Sequence, residues 1–107
     1  MHEFTWSATQ KKAARKAFDL ALGRELKSIR NDVQSMLQNS SDDNVVWSLL
    51  DYLSKKRLEI GQKYDYRYSV IMLVFHRLVF EGWLKEEELV GIGKEKIEVI
   101  RKVNFII

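Results

Sequence analysis

The sequence contains few side chains whose type and spacing could support a chemical reaction. Its two histidines, His2 and His76, are far apart and form no H-E-x-x-H pattern, the spacing that places two zinc ligands on one helix face. Glu86, Glu87 and Glu88 are consecutive, so their carboxylates cannot all point one way, and we interpret them as an acidic run at a helix start. No nucleophile and base have a recognisable spacing. The sequence predicts neither a catalytic residue nor a metal site.

The fragment GIGK, residues 91–94, resembles part of a phosphate-binding loop. A Walker loop has four residues between its glycines and a serine or threonine after the lysine, and this fragment has neither, so we interpret it as a turn. Cysteine is absent, which excludes a zinc–thiolate site, a disulfide framework and a cysteine nucleophile. We therefore expect a protein that is not an enzyme and holds no cofactor.

Trp47, Asp51 and Arg57 are a group of residue types that anchor protein interfaces. Trp47 and Asp51 are four residues apart and share a helix face, and Arg57 lies nearly three turns beyond Trp47, pointing roughly the same way. One interpretation of this pattern is a regulator that binds another protein. The structural alternative is that Trp47 fills the core of a helical hairpin and Asp51 pairs with Lys55, four residues further along. The residues alone leave both interpretations open.

Nucleic-acid binding is the competing function class. The net charge is +3, and residues 86–103 have the outline of a helix-turn-helix, with a short helix, a glycine turn and a second helix rich in lysine. The acidic run at the start of this segment would repel phosphate, and a mild basic excess also suits a solvated helix face. The basic residues of the first third are Lys11, Lys12, Arg15, Lys16, Arg24, Lys27 and Arg30.

The composition predicts that helices position these residues. Among 107 residues there is no proline and there are five glycines, while 46% are hydrophobic and 31% are charged. The first ten residues lack an apolar run of signal-peptide length, and the most apolar window, residues 69–75, is shorter than the about 20 residues of a membrane span. We expect one all-α domain that is cytoplasmic.

The first helix is predicted from residue 8 to residue 38. Ser7 and Gln10 have the S-x-x-Q spacing of a capping box, which indicates its start. A helix of this length is about 45 Å long, whereas a compact domain of this size has a radius of gyration of about 13 Å. Its narrow apolar seam therefore requires a partner helix or a second subunit. The seam residues, spaced 4, 3, 4 and 3, are Leu22, Leu26, Ile29, Val33 and Met36.

A second helix follows the linker QNSSDDN, residues 38–44, in which Ser41 or Asp42 is predicted to be the cap. The short linker predicts an antiparallel hairpin with the first helix. A third, most buried helix is predicted in residues 70–82, capped by Asp65 or Ser69. The remaining expected features are the helix-terminating Gly82, a short helix in residues 84–93, and a terminal helix with Ile97, Ile100 and Val103 on one side.

The segment KYDYRYS, residues 63–69, alternates aromatic and charged residues, a pattern typical of a half-buried strand. A lone strand has no pairing partner in an otherwise helical chain. We therefore predict that the segment joins the second and third helices, possibly as continuous helix. On a helix, Tyr64 and Tyr68 share one face and Tyr66 lies roughly opposite, available to a neighbour.

Residues 47–82 resemble the fluorescence recovery protein family of cyanobacteria. That family carries the pattern W-x-x-x-D-[FY]-L-S-x-[KR]-R-x-E-I-x-x-KYD-x-R-x-S, followed by an apolar helix ending in E-G. The residues that match it are Trp47, Asp51, Leu53, Arg57, Glu59, Ile60, Lys63, Tyr64, Asp65, Arg67 and Ser69.

The resemblance implies an all-helical homodimer that works by binding and makes or breaks no bond. It implies that the partner is the light-activated orange carotenoid protein, bound through that protein's C-terminal domain. Members of the family speed the return of this photoreceptor to its inactive orange form and help detach it from the phycobilisome, which ends photoprotective quenching. No cofactor, nucleic acid or membrane span is implied.

The resemblance also implies where the partner binds. The functional patch of the family falls on Trp47, Asp51 and Arg57, at or near the dimer interface. Leu50 takes the place of a histidine in this patch, and Leu73 takes the place of a phenylalanine in the head region. We expect residues 1–62 to form an elongated dimerising hairpin and residues 63–107 to form a helical head.

Overall fold

The computed structural model describes residues 4–102, and within this range all regular secondary structure is helical, as predicted. The helices are α1 (Ala8–Gln38), α2 (Val45–Lys63), α3 (Ile71–Glu81), a 3₁₀ helix (Glu86–Ile92) and α4 (Lys94–Lys102). The molecule measures 53 × 24 × 19 Å, and its radius of gyration of 16.8 Å exceeds the value of about 13 Å for a compact domain of this length. The elongation comes from α1 and α2.

The predicted start of α1 is confirmed by its hydrogen bonds. The backbone N–H of Gln10 donates to Ser7 Oγ, and the backbone N–H of Ser7 donates to Gln10 Oε1, each over 3.1 Å. These two reciprocal bonds satisfy backbone donors that have no partner inside the helix. The helix ends at Gln38, also as predicted.

The core lies between the first half of α1 and the elements that follow α2. Three alanines and one phenylalanine of α1 are buried, so α1 presents a flat, small-residue face to the 3₁₀ helix. A Cβ placed on Gly91 would lie 2.7 Å from Ala13 Cβ, so the backbone of the 3₁₀ helix packs directly against α1. The buried apolar residues are Ala14, Ala17, Phe18, Ala21, Ile71, Val74, Phe75, Leu78, Leu84, Leu89, Ile92, Ile97 and Ile100.

Helix α3 carries a broad buried face and ends as predicted. Gly82 has a left-handed backbone with φ of 87°, and the N–H of Trp83 donates to the carbonyl of Leu78 over 2.9 Å. This geometry caps the carbonyls of the last turn. On α4, Ile97 and Ile100 face the core, whereas Val103 lies outside the described residues.

The predicted caps of α2 and α3 are wrong. Asn44 precedes α2, and neither its side chain nor those of Ser41 and Asp42 caps the helix. Asp42 instead accepts the backbone N–H of Asn44 over 2.9 Å, which stabilises the turn before the helix. Val70 precedes α3, and neither Ser69 nor Asp65 caps that helix. The Asp65 carboxylate instead binds Arg67.

The tyrosine segment is not helical, which corrects the expectation of rings on opposite faces. Residues 64–67 lack regular structure, and residues 68–70 form a turn. The rings of Tyr64 and Tyr66 pack edge-on against Phe18, at centroid distances of 5.4 and 4.9 Å. Tyr68 packs against Trp6 at 5.1 Å. All three rings therefore lie against the N-terminal part of the chain.

Helices α1 and α2 form the predicted antiparallel hairpin. The Tyr52 hydroxyl donates to Asp32 over 2.5 Å, and Lys63 Nζ donates to Glu25 over 2.7 Å. A later residue of α2 thus pairs with an earlier residue of α1, which requires opposite helix directions. The second half of α1 has no buried residue after Glu25.

Candidate protein-interaction surface

Trp47 lies on the surface of α2 with 63% of its area exposed. The interpretation that it fills the hairpin core is therefore wrong. Asp51, one turn further along α2, is also exposed and takes part in no ion pair within residues 4–102, with Lys55 or any other residue. An exposed tryptophan beside an unpaired carboxylate is an arrangement that a protein partner can bind.

Arg57 lies on the same helix, about 15 Å beyond Trp47 along its axis. It is exposed and forms no ion pair in the described part of the chain. Its side chain borders an apolar groove between α1 and α2, so it offers a free cation at an apolar edge. The other residues that line this groove are Leu26, Ile29, Leu53, Lys56 and Ile60. Trp47 does not line this groove, so the structure places the two side chains beside different parts of the α2 surface.

The two leucines at the departures from the family pattern are both accessible. Leu50 is 56% exposed on α2, and Leu73 is 46% exposed on α3. Phe80, which the sequence analysis did not single out, lies two turns beyond Leu73 and is 68% exposed. The signal for Phe80 was its spacing of seven residues from Leu73, which places both on one helix face.

The hairpin leaves much apolar surface uncovered. Most seam positions of α1 and α2 are half-buried at best, because each helix covers only one side of the other. Exposed large apolar side chains in this number are typical of an interaction site. The large apolar residues of the hairpin that are exposed are Leu20, Leu26, Leu37, Val46, Trp47, Leu50, Leu53 and Leu58.

A polar cluster centred on the buried Lys63 joins the end of α2 to α1 and α3. Lys63 Nζ lies 2.7 Å from Glu25 Oε2 and 2.7 Å from Glu81 Oε1. The Tyr64 hydroxyl donates to Glu25 Oε1 over 2.8 Å, and Trp83 Nε1 donates to Glu81 over 3.1 Å. No local pattern linked Glu25 or Glu81 to Lys63, because they come from three different helices.

The titration behaviour of the cluster follows from these contacts. Burial, together with the Glu25 carboxylate, holds the pKa of the Tyr64 hydroxyl well above its usual range. Burial alone would raise the pKa of Glu81, but hydrogen bonds from Lys63 and Arg77 lower it below the usual value. Near neutral pH the Tyr64 hydroxyl therefore keeps its proton and the Glu81 carboxyl is ionised.

The residues considered for chemistry have structural roles where the structure describes them. His76 is half-buried, and its Nδ1 lies 2.6 Å from the carbonyl oxygen of Ile100, so the ring N–H donates to it. Glu88 binds Arg24 of α1 through two hydrogen bonds of 2.7 Å. Glu86 pairs with Arg101 of α4. Residues 4–102 contain no group of three or more acidic or histidine side chains that could hold a metal ion, and His2 lies outside them.

The helix-turn-helix alternative loses support from the same contacts. Lys96, on the proposed recognition helix, is only 3% exposed, and its Nζ lies 4.6 Å from the Trp6 ring centroid. Arg101 is already paired with Glu86. Both groups are thereby withdrawn from contact with a phosphate backbone. Across the part of the chain that the structure describes, no helix has the length and apolarity to cross a membrane.

Comparison with known proteins identifies a family. A family model described as "Photoprotection regulator fluorescence recovery protein" matches residues 6–104. The fluorescence recovery protein of Synechocystis sp. PCC 6803 is 37% identical over 99 residues, which span 92% of this chain and 91% of that protein. Its solved structure superposes with a TM-score of 0.83, at 37% identity, and covers 91% of this chain and 95% of that one. The Fremyella diplosiphon protein gives a TM-score of 0.82 at 38% identity, with the same coverage.

Proposed function

Because the chain belongs to the family of the photoprotection regulator fluorescence recovery protein, we propose that it binds the light-activated orange carotenoid protein and speeds its return to the inactive orange form. It does so through its surface, without a reacting group of its own. The proposal extends to release of the photoreceptor from the phycobilisome, which ends quenching, and to a location in the cytoplasm.

The observation that carries the proposal is the exposure of Trp47 with unpaired charges on the same helix. Trp47 is 63% exposed, and Asp51 and Arg57 form no ion pair within the described residues. An exposed tryptophan contributes nothing to a core, so its presence here is accounted for by a partner that covers it. Asp51 and Arg57, which form no ion pair within the described residues, can then form charged hydrogen bonds with that partner.

The thermodynamic requirement on such a regulator is differential binding. A protein that bound the activated form, the inactive form and the transition state between them equally would change neither the equilibrium nor the rate. We therefore propose that the surface around Trp47, Asp51 and Arg57 binds the C-terminal domain of the photoreceptor best in a compact arrangement. Leu50, beside this surface, and Leu73 on α3 supply further apolar contacts.

We also propose that the protein is a homodimer. Support comes from the apolar side of the hairpin, where Leu26 is 50% exposed and Leu53 is 42% exposed on opposite walls of one groove. A second copy of the hairpin would remove this surface from water, which is favourable by about 25 cal/mol per Å² of apolar area.

Two residue departures favour a second candidate, a different protein partner bound through the same surface. Leu50 and Leu73 replace a histidine and a phenylalanine of the family pattern, so contacts of these two side chains with the usual partner would change. Both candidates predict binding through Trp47 and Arg57 and differ only in the protein bound.

The test is to mix the protein with photoactivated orange carotenoid protein and time the colour reversion in darkness. We expect the purified protein to shorten the reversion time in proportion to its concentration. The control is the photoreceptor with an equal amount of an unrelated helical protein. An unchanged reversion time over the full concentration range would refute the first candidate and leave the second.

A further inference from the structure

The connection of α2 to the rest of the molecule is concentrated at one end. Among the described residues of α2, Lys63 alone is buried, with 6% of its area exposed. Within residues 4–102, the other hydrogen bond from an α2 side chain to α1 is that of Tyr52 with Asp32, which lies on the surface. The helix that carries Trp47, Asp51 and Arg57 is thus held chiefly through its last residue.

At that residue, three helices meet on a single ammonium group. Glu25 of α1, which is 5% exposed, binds Lys63 Nζ at 2.7 Å from one side, and Glu81 of α3 binds it at 2.7 Å from another. The rings of Tyr64 and Trp83 lie 5.8 and 5.9 Å from the same atom. Within the described residues, no buried side-chain polar atom is left without a hydrogen-bond partner.

Such a cluster has a directional preference that apolar packing lacks. An apolar contact tolerates sliding of one helix along another, whereas three short hydrogen bonds to fixed carboxylates hold one relative position. Removing one charge would leave another buried without compensation, so alternative positions of α2 are disfavoured. Replacement of buried ion pairs by apolar residues is often neutral for stability. The presence of this cluster is therefore better explained by the geometry that it fixes than by added stability.

We propose that Glu25, Lys63, Tyr64 and Glu81, here called the junction cluster, are positioning residues that fix α2 relative to α3. Their effect is to hold the Trp47–Arg57 surface at a set distance from Leu73, so that one partner contacts both in a single geometry. This inference rests on the proposed function for its consequence, but the positioning itself is a property of the isolated protein.

The positioning can be measured directly, because the chain has no cysteine. Lys55→Cys and Phe80→Cys place one spin label on α2 and one on α3, both at exposed sites. The labelled chain is diluted with unlabelled chain, and the distance distribution is recorded by pulsed electron paramagnetic resonance. We expect a narrow distribution in the wild-type background and a broadened one with Lys63→Met.

Two further variants separate positioning from general loosening. Tyr52→Phe removes the other hydrogen bond between α1 and α2, and we expect it to leave the distribution narrow. Glu81→Gln keeps an acceptor for Lys63 but removes the charge, so it serves as a milder test if Lys63→Met does not fold. A distribution that is equally narrow in wild type and in the folded junction variants would overturn the proposal.

The consequence for function is a split between two kinetic quantities. Because the Trp47 surface remains intact in Glu81→Gln and Lys63→Met, we expect the concentration for half-maximal acceleration of colour reversion to change by less than about twofold. The maximal acceleration should fall about tenfold, the size of a typical coupling between sites. A broadened distance with an unchanged maximum would overturn the functional part. If the wild-type protein does not accelerate reversion, the proposed function fails and the distance comparison decides the positioning alone.

Discussion

At the scale of single residues, α2 combines one buried lysine with several exposed anchors. Lys63 is enclosed by two carboxylates, whereas Trp47, sixteen residues earlier on the same helix, is exposed to solvent. Trp47, Asp51 and Arg57 are candidate partner-binding residues by sequence, and all three side chains are exposed. The sequence could not identify Glu25 or Glu81, because neither residue stands at a helical spacing from Lys63 and only the folded chain brings them together.

Also at this scale, the Arg24–Glu88 pair predicts acid sensitivity. A hydrogen bond from Arg24, with the backbone N–H of Lys85, lowers the pKa of Glu88 from 4.5 to about 2. Since the folded pKa is below the unfolded one, this pair stabilises the fold above pH 4.5, and that contribution is lost as the pH falls toward 2. We expect Glu88→Gln to show a smaller loss of unfolding free energy over this window than wild type, measured by urea unfolding.

The control for this prediction is Glu87→Gln, because Glu87 is exposed and has no ion pair in the described residues. It should follow the wild-type curve. Equal pH dependence of wild type and Glu88→Gln would show that the pair between α1 and the 3₁₀ helix does not contribute.

At the scale of elements, the ends of α1 were predictable and the tyrosine segment was not. The capping box and the apolar spacing are local, so the limits of α1 follow from the residues near them. The conformation of residues 64–67 is set instead by ring contacts with Phe18, which lies far away in sequence. The predicted caps of α2 and α3 are wrong for a related reason. Asp42 and Asp65 each form hydrogen bonds with a residue two positions further along the chain.

The close packing of the 3₁₀ helix on α1 gives a prediction at this scale. Gly91→Ala would place a methyl group 2.7 Å from Ala13 Cβ, so we expect a loss of about 1–3 kcal/mol of unfolding free energy through overpacking. Gly23→Ala is the matched control, because no atom lies within 4 Å of the added group in the middle of α1. It should stabilise the protein by about 0.5–1 kcal/mol.

Chemical denaturation of the two alanine variants measures both effects under identical conditions. Opposite signs are expected. If Gly91→Ala proved as stable as wild type, the direct contact between the backbone of the 3₁₀ helix and α1 would be refuted.

At the scale of the whole molecule, the elongated shape and the uncovered hairpin predict self-association. Leu53→Glu places a charge in the apolar groove between α1 and α2, where burial by a second copy would carry a large desolvation cost. We expect sedimentation to show a wild-type dimer and a variant at the monomer mass of 12.7 kDa. Val90→Glu, at a head residue that is 73% exposed, should leave the dimer intact.

A wild-type protein that sediments as a monomer, or a Leu53→Glu variant that stays dimeric, would contradict the proposed homodimer. The family and its all-helical fold would be unaffected, since these follow from the family match and the superposition with solved relatives.

The central claim is that the protein acts through a binding surface on α2, and Arg57→Leu tests it most directly. Because Arg57 is exposed and unpaired among residues 4–102, we expect the variant to fold with wild-type stability and to accelerate dark reversion of photoactivated orange carotenoid protein at least about tenfold less, the range of a hot-spot residue. Lys55→Leu, which removes an exposed charge from the same helix, should retain the wild-type rate. Wild-type acceleration by Arg57→Leu would contradict the account.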